Sequence, residues 1–546
     1  MRNSTAVWTV RLVFGTATLL LAAYLCSVCF DDQRYKSSRF LVSAFVEIAD
    51  SLYVVPEPEE MFAGAWLGMQ SMLDPYTNFI PATYYQYVDE EGRGSFQGIG
   101  VEIAVRDGLV TVISPIAGSH AEEVGLRSGD QVISVDSIDV TDLPSDSVTS
   151  MIRGPAGTTV LMRIKRPGRR DPFEVRVERR HVDLNSVVYS GTIDSVGYIH
   201  LRRFSLTTPD EIISAIDKMS RDGISGLILD LRGNPGGFMS AAIYIAGLFL
   251  PEGKLILATK SRRGWENYSI STTDDGPLMN LPLVVLVNRG SASASEIVAG
   301  ALQDYDRAVI LGDTTFGKGL VQTNLMLDGG NALRVTTSKY YLPSGRLVQR
   351  FAEADWAKHM NISRSELNTA FRTEAGRDVY GGGGVAPDIG IAPDSMTVLA
   401  TVLLYEGYFF RFAVDYRVQH AESVSVDIDD DVVDEFREYV YEQGFEFPNI
   451  IGEEISTLED ELAAITSPNL AGILKRMKRR AEEVEGIAWD VSKPYIRRNL
   501  RERFARVRGG TQEVYASSRM NNDRQIQAAI EILSDHDLYR SILEKQ

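Results

Sequence analysis

Short apolar runs alternate with helical patterns from Val188 to about Ile391, an order typical of an α/β domain. The run from Leu281 to Val287 is short enough to be a buried strand, and Gly226 to Leu231 predicts another. The second run leads through a glycine-rich turn into a helical pattern that reaches about Leu250. The alternation therefore predicts an α/β core for this part of the chain.

The chain is long enough for several such cores. Its 546 residues suggest three or four domains, and a hydrophobic content of 44% with 24% charged residues is that of a globular protein. The formal net charge of −18 argues against nucleic acid as a partner, because phosphate binding needs a basic surface.

Cysteine and histidine usage limits the available chemistry. Both cysteines, Cys26 and Cys29, lie in an N-terminal apolar stretch, so disulfides, Cys₄ zinc sites and cysteine nucleophiles are excluded elsewhere. The six histidines show no HExxH or other metal-ligand spacing. We therefore expect neither a metal nor a cofactor, although a site made only of carboxylates stays open.

Residues 12–30 carry no charge and, at about 1.5 Å per residue, are just long enough to cross a bilayer core. The segment is either an uncleaved signal anchor or a secretory signal peptide. We favour the anchor because no A-x-A cleavage site follows the apolar core. The basic residues on both sides leave the orientation open.

A cluster of serines, Asn288 to Glu296, separates the run that ends at Val287 from the helical pattern Ile297 to Leu302. A serine at such a strand-to-helix junction has its hydroxyl at a helix N-terminus, where negative charge is favoured. Ser293 is thus a candidate nucleophile. Capping of the helix by Ser291, Ser293 and Ser295 explains the cluster equally well, so the pattern alone leaves both open.

Several separated motifs carry a family resemblance. Residues 98–101 and 118–132 resemble a bacterial PDZ domain. Residues 230–237 (DLRGNPGG), the pair Ser293 and Lys318, and segments 342–346 and 382–388 resemble the carboxy-terminal processing, or tail-specific, serine proteases. The resemblance covers about residues 36–392 in order.

The resemblance implies an α/β catalytic core of the Clp protease/crotonase-like type with an inserted PDZ domain. Together with the patterns above it gives an N-terminal transmembrane helix and a helical C-terminal region whose chemistry the sequence does not reveal. The expected segments are a signal anchor or signal peptide at 1–30, a helical segment at 31–93, the PDZ domain at 94–181, the catalytic core at 182–392 and the C-terminal region at 393–546.

The family pattern makes Ser293 the nucleophile, Lys318 its general base and Gln322 the residue that orients the lysine amine. An extended chain from Lys318 to Gln322 would place both side chains on one face. A lysine can accept the serine proton only if burial lowers its pKa by several units.

The same resemblance implies that backbone N–H groups of Ala294 and of the Gly236-Gly237 turn stabilise the oxyanion. Glu296 belongs to the serine motif, and we interpret it as a supporting residue near the helix start. A rival interpretation is the phosphate-binding pattern at 312–318, but the next residue, Gly319, lacks the hydroxyl that binds Mg²⁺. We therefore expect no nucleotide.

The PDZ resemblance implies capture of a chain terminus as an added strand beside Val101–Val105. Backbone N–H groups of the loop formed by Gly98, Ile99 and Gly100 would hold the terminal carboxylate. The candidates for the apolar pocket are Val148, Met151 and Ile152, although packing in the domain core explains them nearly as well. Arg153 is a candidate sensor of bound peptide, with a solvated helix-end arginine as the alternative.

These features predict a serine endopeptidase that recognises unstructured C-terminal tails of protein substrates and cleaves them through an acyl-enzyme. The expected location is the cytoplasmic membrane, single-pass, with the catalytic part in the periplasm, or the periplasm itself if the signal is cleaved. The alternatives are a PDZ scaffold on an inactive protease fold and a tricorn-like peptidase that trims short peptides. Homo-oligomerisation stays open.

Overall fold

A computed structural model describes residues 33–54, 57–262, 264, 267–350, 369–392, 396–420, 428–447, 454–455, 457–458 and 468–544. The chain divides into two compact units, residues 1–75 and 76–546. The first unit contributes helices α1 (Gln33–Ser51) and α2 (Pro58–Gln70). The predicted anchor at 12–30 lies outside the described residues. Among the helices that are described, none is both long and apolar enough to span a bilayer.

The second unit begins with strand β1 (Asn78–Ile80) and helix α3 (Ala82–Arg93), and then forms the predicted PDZ segment. This segment is an antiparallel sheet with the strand order β3-β4-β5-β7-β8, in which β6 pairs with β5. A separate ribbon of β2 and β9 closes it. The elements are β2 (Ser95–Gly98), β3 (Val101–Arg106), β4 (Leu109–Pro115), α4 (His120–Glu123), β5 (Gln131–Val135), β6 (Ile138–Asp139), α5 (Ser145–Ile152), β7 (Thr159–Lys165), β8 (Phe173–Glu178) and β9 (Arg180–Asp183).

The predicted catalytic segment is built on a six-stranded sheet that confirms the predicted α/β core. Its strand order is β10-β11-β12-β15-β16-β21, and all neighbouring strands are parallel except the edge pair β10 and β11. Three helices cover one face of this sheet. The elements are β10 (Val187–Ile193), β11 (Val196–Leu201), α6 (Thr208–Ser220), β12 (Gly226–Asp230), α7 (Met239–Gly247), β13 (Leu255–Ser261), β14 (Ser269–Ser271), β15 (Leu283–Val287), α8 (Ala294–Asp304), β16 (Val309–Gly312), β17 (Leu320–Met326), β18 (Ala332–Tyr341), β19 (Ala370–Arg372), β20 (Asp378–Tyr380) and β21 (Ile389–Gly390).

A second sheet joins distant parts of the sequence. Strand β18 pairs with β1, β13 and β17, and β14 extends the sheet beyond β13. Strand β17 starts two residues after Lys318, so its register on β18 determines where the candidate base lies.

The C-terminal region is helical, as predicted. Its helices are α9 (Val398–Tyr405), α10 (Tyr408–Gln419), α11 (Asp430–Glu442), the long α12 (Pro468–Val514), α13 (Arg524–Ser534) and α14 (His536–Leu543). Helices α9 to α12 enclose an aromatic core around Phe409, Phe412, Phe436 and Trp489. A short π-helical turn, Tyr515–Arg519, follows α12.

Helices α13 and α14 cover the second face of the catalytic sheet. Strand residues such as Ile228, Val284 and Leu311 pack there against Ile526 and Leu533. Parallel strands that are apolar on both faces need helices on both faces. The expected boundary at 392 thus divides, in sequence, two parts that share one hydrophobic core.

Candidate active site

Ser293 lies at the turn between β15 and α8, where the chain reverses from strand to helix. Its backbone has φ 55° and ψ −111°, a conformation that L residues rarely adopt. Such backbone strain costs on the order of 1–3 kcal/mol and persists only where neighbouring groups enforce it. The residue is the N-cap of α8, and its surroundings hold it in this conformation.

The carboxylate of Glu296 provides much of that restraint. One oxygen accepts hydrogen bonds from the backbone N–H of Ser293 and of Lys318, both at 2.8 Å. The other accepts from the Thr315 hydroxyl at 2.6 Å and the Gly317 N–H at 2.7 Å. Burial raises the pKa of Glu296, and these four hydrogen bonds oppose that change. One fully buried side chain thus ties the serine turn to the lysine loop.

Tyr340 on β18 makes a second link between the same two segments. Its hydroxyl donates to the carbonyl of Lys318 at 2.8 Å and lies 3.3 Å from the carbonyl of Ser293. Burial and the nearby Glu296 carboxylate raise the pKa of this phenol well above its usual value, so it stays a donor. Backbone atoms of both predicted dyad residues are therefore held from two sides.

Gly236 lies against the serine turn. A Cβ atom at Gly236 would be 2.9 Å from the Cβ of Ser293 and 3.1 Å from the N atom of Ala294, so only glycine fits. The N–H of Gly236 donates to the side-chain oxygen of Asn234 at 2.9 Å. The N–H of Gly236 is therefore already bonded within its own loop. Of the three predicted oxyanion donors, Ala294 and Gly237 remain as candidates. Ala294 is the first residue of α8, where the backbone N–H lies outside the helical ladder.

The side chains of Lys318 and Gln322 contact different groups. Lys318 is half-buried, and its Nζ lies 5.0 Å from the centre of the Tyr76 ring. The Gln322 amide donates to the carbonyl of Leu320 at 3.3 Å and lies 3.5 Å from the Thr336 hydroxyl. An irregularity in the β17–β18 register falls between Val321 and Gln322. The structure thus joins Ser293 and Lys318 through Glu296, while the amide of Gln322 is engaged along its own strand and on β18.

Three supporting residues were missed by sequence reasoning. Asn234 lies within the glycine-rich motif, and its residue type is a signal for a supporting role. Asparagine side chains often form hydrogen bonds with nearby backbone groups. Thr315 and Tyr340 carry no motif of their own. Their roles depend on the packing of β18 and the lysine loop around Glu296.

In the PDZ domain, β3 is an edge strand, as strand addition requires. Gly100 has φ 82°, and its carbonyl accepts a hydrogen bond from the Ser119 hydroxyl at 2.9 Å. Val148 and Ile152 belong to the buried core of the domain, whereas Met151 is only partly buried. The structure therefore supports the packing alternative for the first two, and Met151 is the remaining pocket candidate.

Arg153 has specific partners beyond solvent. Its guanidinium forms an ion pair with Glu90 on α3 at 2.5 Å and stacks over the rings of Tyr87 and Phe96, at 4.4 and 4.8 Å. Glu90 and Tyr87 lie outside the PDZ domain, and Phe96 lies on its closing ribbon. Arg153 thus joins the end of α5 to the segment that precedes the domain.

Comparisons with known proteins identify the family of this chain. The profile of the family described as Peptidase family S41 matches residues 195–354, that of the PDZ domain matches 111–166, and that of a probable PDZ-protease C-terminal helical domain matches 399–533. A carboxy-terminal-processing protease of Bartonella bacilliformis is 34% identical over 344 residues, which are 62% of this chain and 78% of that protein. The chain belongs to the carboxy-terminal-processing proteases. It is a serine-type endopeptidase with a PDZ domain.

Other similarities to this protease are of the same kind. A carboxyl-terminal-processing protease of Synechocystis is 36% identical over 291 residues, which are 52% of this chain and 67% of the relative. Among solved structures, the photosystem II D1 C-terminal processing protease is 26% identical, with 67% of this chain and 89% of that chain covered and a TM-score of 0.36.

Replacing Glu296 by glutamine is expected to lower kcat of the protease about 100-fold, because a catalytic group displaced by about 1 Å costs that much. An amide can accept hydrogen bonds only on its oxygen, so its NH₂ group would face two donors. The measurement is turnover of a tailed protein substrate alongside the melting temperature. Glu211→Gln is the matched control, since Glu211 also accepts from a backbone N–H and a hydroxyl, at 2.8 and 2.6 Å, on α6. Equal activity of the two variants would contradict the role of Glu296.

Proposed function

We propose that the protease cleaves protein substrates with Ser293 as nucleophile and Lys318 as general base. The Ser293 hydroxyl attacks the scissile carbonyl while its proton passes to the neutral amine of Lys318. The tetrahedral oxyanion is stabilised by the N–H groups of Ala294 and Gly237. The amine product leaves with a proton from the lysine, and water then hydrolyses the acyl-enzyme by the same route.

The observation that carries this proposal is the Glu296 carboxylate, which binds the N–H of Ser293 and of Lys318 through one oxygen atom. The backbones of these two residues, which are 25 positions apart in sequence, are thereby held close together. A scaffold without activity has no need to strain the backbone of Ser293, so the geometry favours the enzyme over an inactive PDZ scaffold.

We propose further that the PDZ domain selects the substrates. A C-terminal tail would add beside β3, the edge strand of the PDZ sheet, with its carboxylate at the loop of residues 98–100. The names of the relatives, which are carboxy-terminal-processing proteases, support recognition of this end of the substrate. For the apolar segment at 12–30 we propose a membrane anchor with the protease on the periplasmic side.

Amidation of the substrate's C-terminus is expected to lower kcat/KM about 10- to 100-fold, because a charge-assisted hydrogen bond contributes about 1.5–3 kcal/mol. The test uses one unstructured tail in acid and amide forms, and mass spectrometry of the products gives both the rate and the cleavage sites. A control peptide that contains the cleavage sequence internally and ends in an amide measures the basal rate, which is the rate of cleavage without capture of a terminal carboxylate. Equal turnover of both tails would refute capture of the carboxylate, whereas cleavage by Ser293→Ala would refute the nucleophile.

A further inference from the structure

Arg232 follows β12 and lies between the active-site loop and the C-terminal helices. Its guanidinium pairs with both carboxylate oxygens of Asp230, at 2.6–3.0 Å. The remaining nitrogen donates to Asp523 at 2.8 Å and to Gln525 at 2.7 Å. Asp523 and Gln525 are separated from Arg232 by about 290 residues, and they stand at the start of α13. One side chain thus joins the catalytic sheet to the C-terminal region.

The anchor of this link is buried. Asp230 is 2% exposed, and the hydroxyl of Tyr198 donates to it at 2.7 Å. Burial alone would raise the pKa of Asp230, but the charge of Arg232 and hydrogen bonds from Arg232 and Tyr198 outweigh it and hold the pKa well below its usual value. The carboxylate is therefore charged at neutral pH, and it restricts the orientation of Arg232.

The backbone that follows Arg232 is hydrogen-bonded to the serine turn. The next residue, Gly233, donates its N–H to the Asn288 side chain at 2.9 Å. The carbonyl of Asn234 accepts from the Ser295 hydroxyl at 2.9 Å and from the N–H of Ala292 at 3.0 Å. A Cβ atom at Gly236, two residues further on, would be 2.9 Å from the Cβ of Ser293, so the loop passes close beside the serine turn. Displacement of Arg232 would therefore move the loop of residues 233–237 relative to the nucleophile.

The partners on the C-terminal side are themselves oriented. The second carboxylate oxygen of Asp523 caps α13 by accepting from the N–H of Gln525 at 2.9 Å, and the Gln525 amide donates to the carbonyl of Ile391 at 2.6 Å. A cavity of about 350 Å³ opens beside them, lined among others by His200, Glu502 and Arg519. Arg232 and Asp523 line the cavity as well, so this link lies beside an open space at the start of α13.

We propose that Arg232 is a positioning residue through which helix α13 holds the loop of residues 233–237 in the geometry that oxyanion stabilisation requires. The inference rests on the proposed function, because it assigns the loop to that task. The inference gives the C-terminal helical region a part in catalysis. The start of α13 supplies Asp523 and Gln525, the two side chains that complete the hydrogen bonding of the Arg232 guanidinium.

The test uses changes on the α13 side only, so that Asp230 keeps its arginine. Asp523→Asn retains the helix cap, since asparagine is an equally good N-cap, but it removes the charge that faces Arg232. Gln525→Leu removes the second acceptor. Asp430→Asn is the control, because Asp430 also pairs with an arginine of the C-terminal region, at 2.5 Å, at the start of α11.

We expect kcat to fall about tenfold in Asp523→Asn and Gln525→Leu, with KM and the affinity of the PDZ domain for a tail peptide unchanged, since a small displacement of a catalytic group has effects of this size or larger. The rate at which a fluorophosphonate labels Ser293 should fall in parallel, because its tetrahedral adduct uses the same donors. The control should keep wild-type kcat.

Three results would overturn the inference: kcat within twofold of the Asp430→Asn control, a loss confined to KM, or a loss that follows the folded fraction. Failure of the proposed function gives a different signature, because wild-type enzyme would then show no Ser293-dependent cleavage and no labelling by the fluorophosphonate.

Discussion

Alanine in place of Ser293 is expected to lower kcat on the order of 10⁶-fold, the loss that follows removal of the nucleophile of a serine protease. The folded structure should persist, because the Glu296 bond to residue 293 uses the backbone N–H, which alanine retains. Binding of a tail peptide to the PDZ domain should be unchanged. The measurements are single-turnover cleavage of a tailed substrate, followed by mass spectrometry, and circular dichroism.

Lys318→Ala should have a similar effect, since no other group on the lysine loop would accept the serine proton in the proposed mechanism. Lys260→Ala is the matched control: the Nζ of Lys260 also lies over a tyrosine ring, at 4.5 Å from the centre of Tyr341, but on β13. Full activity of Lys318→Ala, or equal losses in the two lysine variants, would exclude Lys318 as the base.

Ending the chain after Val514 is expected to prevent the catalytic sheet from folding stably. The removed segment buries apolar side chains against that sheet, and these are Tyr515, Met520, Ile526, Ile532, Leu533 and Tyr539. Their burial contributes on the order of 10 kcal/mol. This equals a large part of the net stability of a domain, about 5–15 kcal/mol. Removal also exposes the apolar strand face beneath them, so the truncated protein should aggregate or bind the dye ANS.

A pair of point variants calibrates this expectation. Replacing Leu533, which is 1% exposed, by alanine should lower the free energy of unfolding by about 2–5 kcal/mol, because the substitution leaves a cavity. The same substitution at Leu538, which is 42% exposed on α14, should lower it much less. Chemical denaturation of the full chain measures both. A folded and active truncated enzyme, or equal costs at the two positions, would contradict the assignment of α13 and α14 to the catalytic core.

The sequence predicted the elements whose signals are local. The buried strand before the serine cluster, the helix after it and the glycine at 236 each follow from a few neighbouring residues. The sequence does not predict the hydrogen bond from the N–H of Lys318 to Glu296. Partners 22 positions apart meet only if the loop between them takes a particular path. The serine motif marks Glu296 only as a supporting residue near a helix start, and Tyr340 belongs to no motif.

The sequence does not predict which helices cover the second face of the catalytic sheet. The apolar strand Leu283–Val287 indicates burial on both sides, yet nothing in it says which helices provide the second cover. Charged, helical residues after 393 suggested a separate region of unknown role. The apolar side chains of α13 recur at helical spacing, but a helix pattern alone does not identify the surface on which it packs.

The late position of α13 and α14 in the chain has a consequence for timing. At about 5–20 residues per second, roughly 10–50 s separate the synthesis of Ser293 from that of α14. During this interval the sheet that carries the serine lacks one of its two covers, and Arg232 lacks its distal partners. We therefore expect the nascent chain to be inert until α13 and α14 have been synthesised, so that proteins beside it on the ribosome are spared from cleavage.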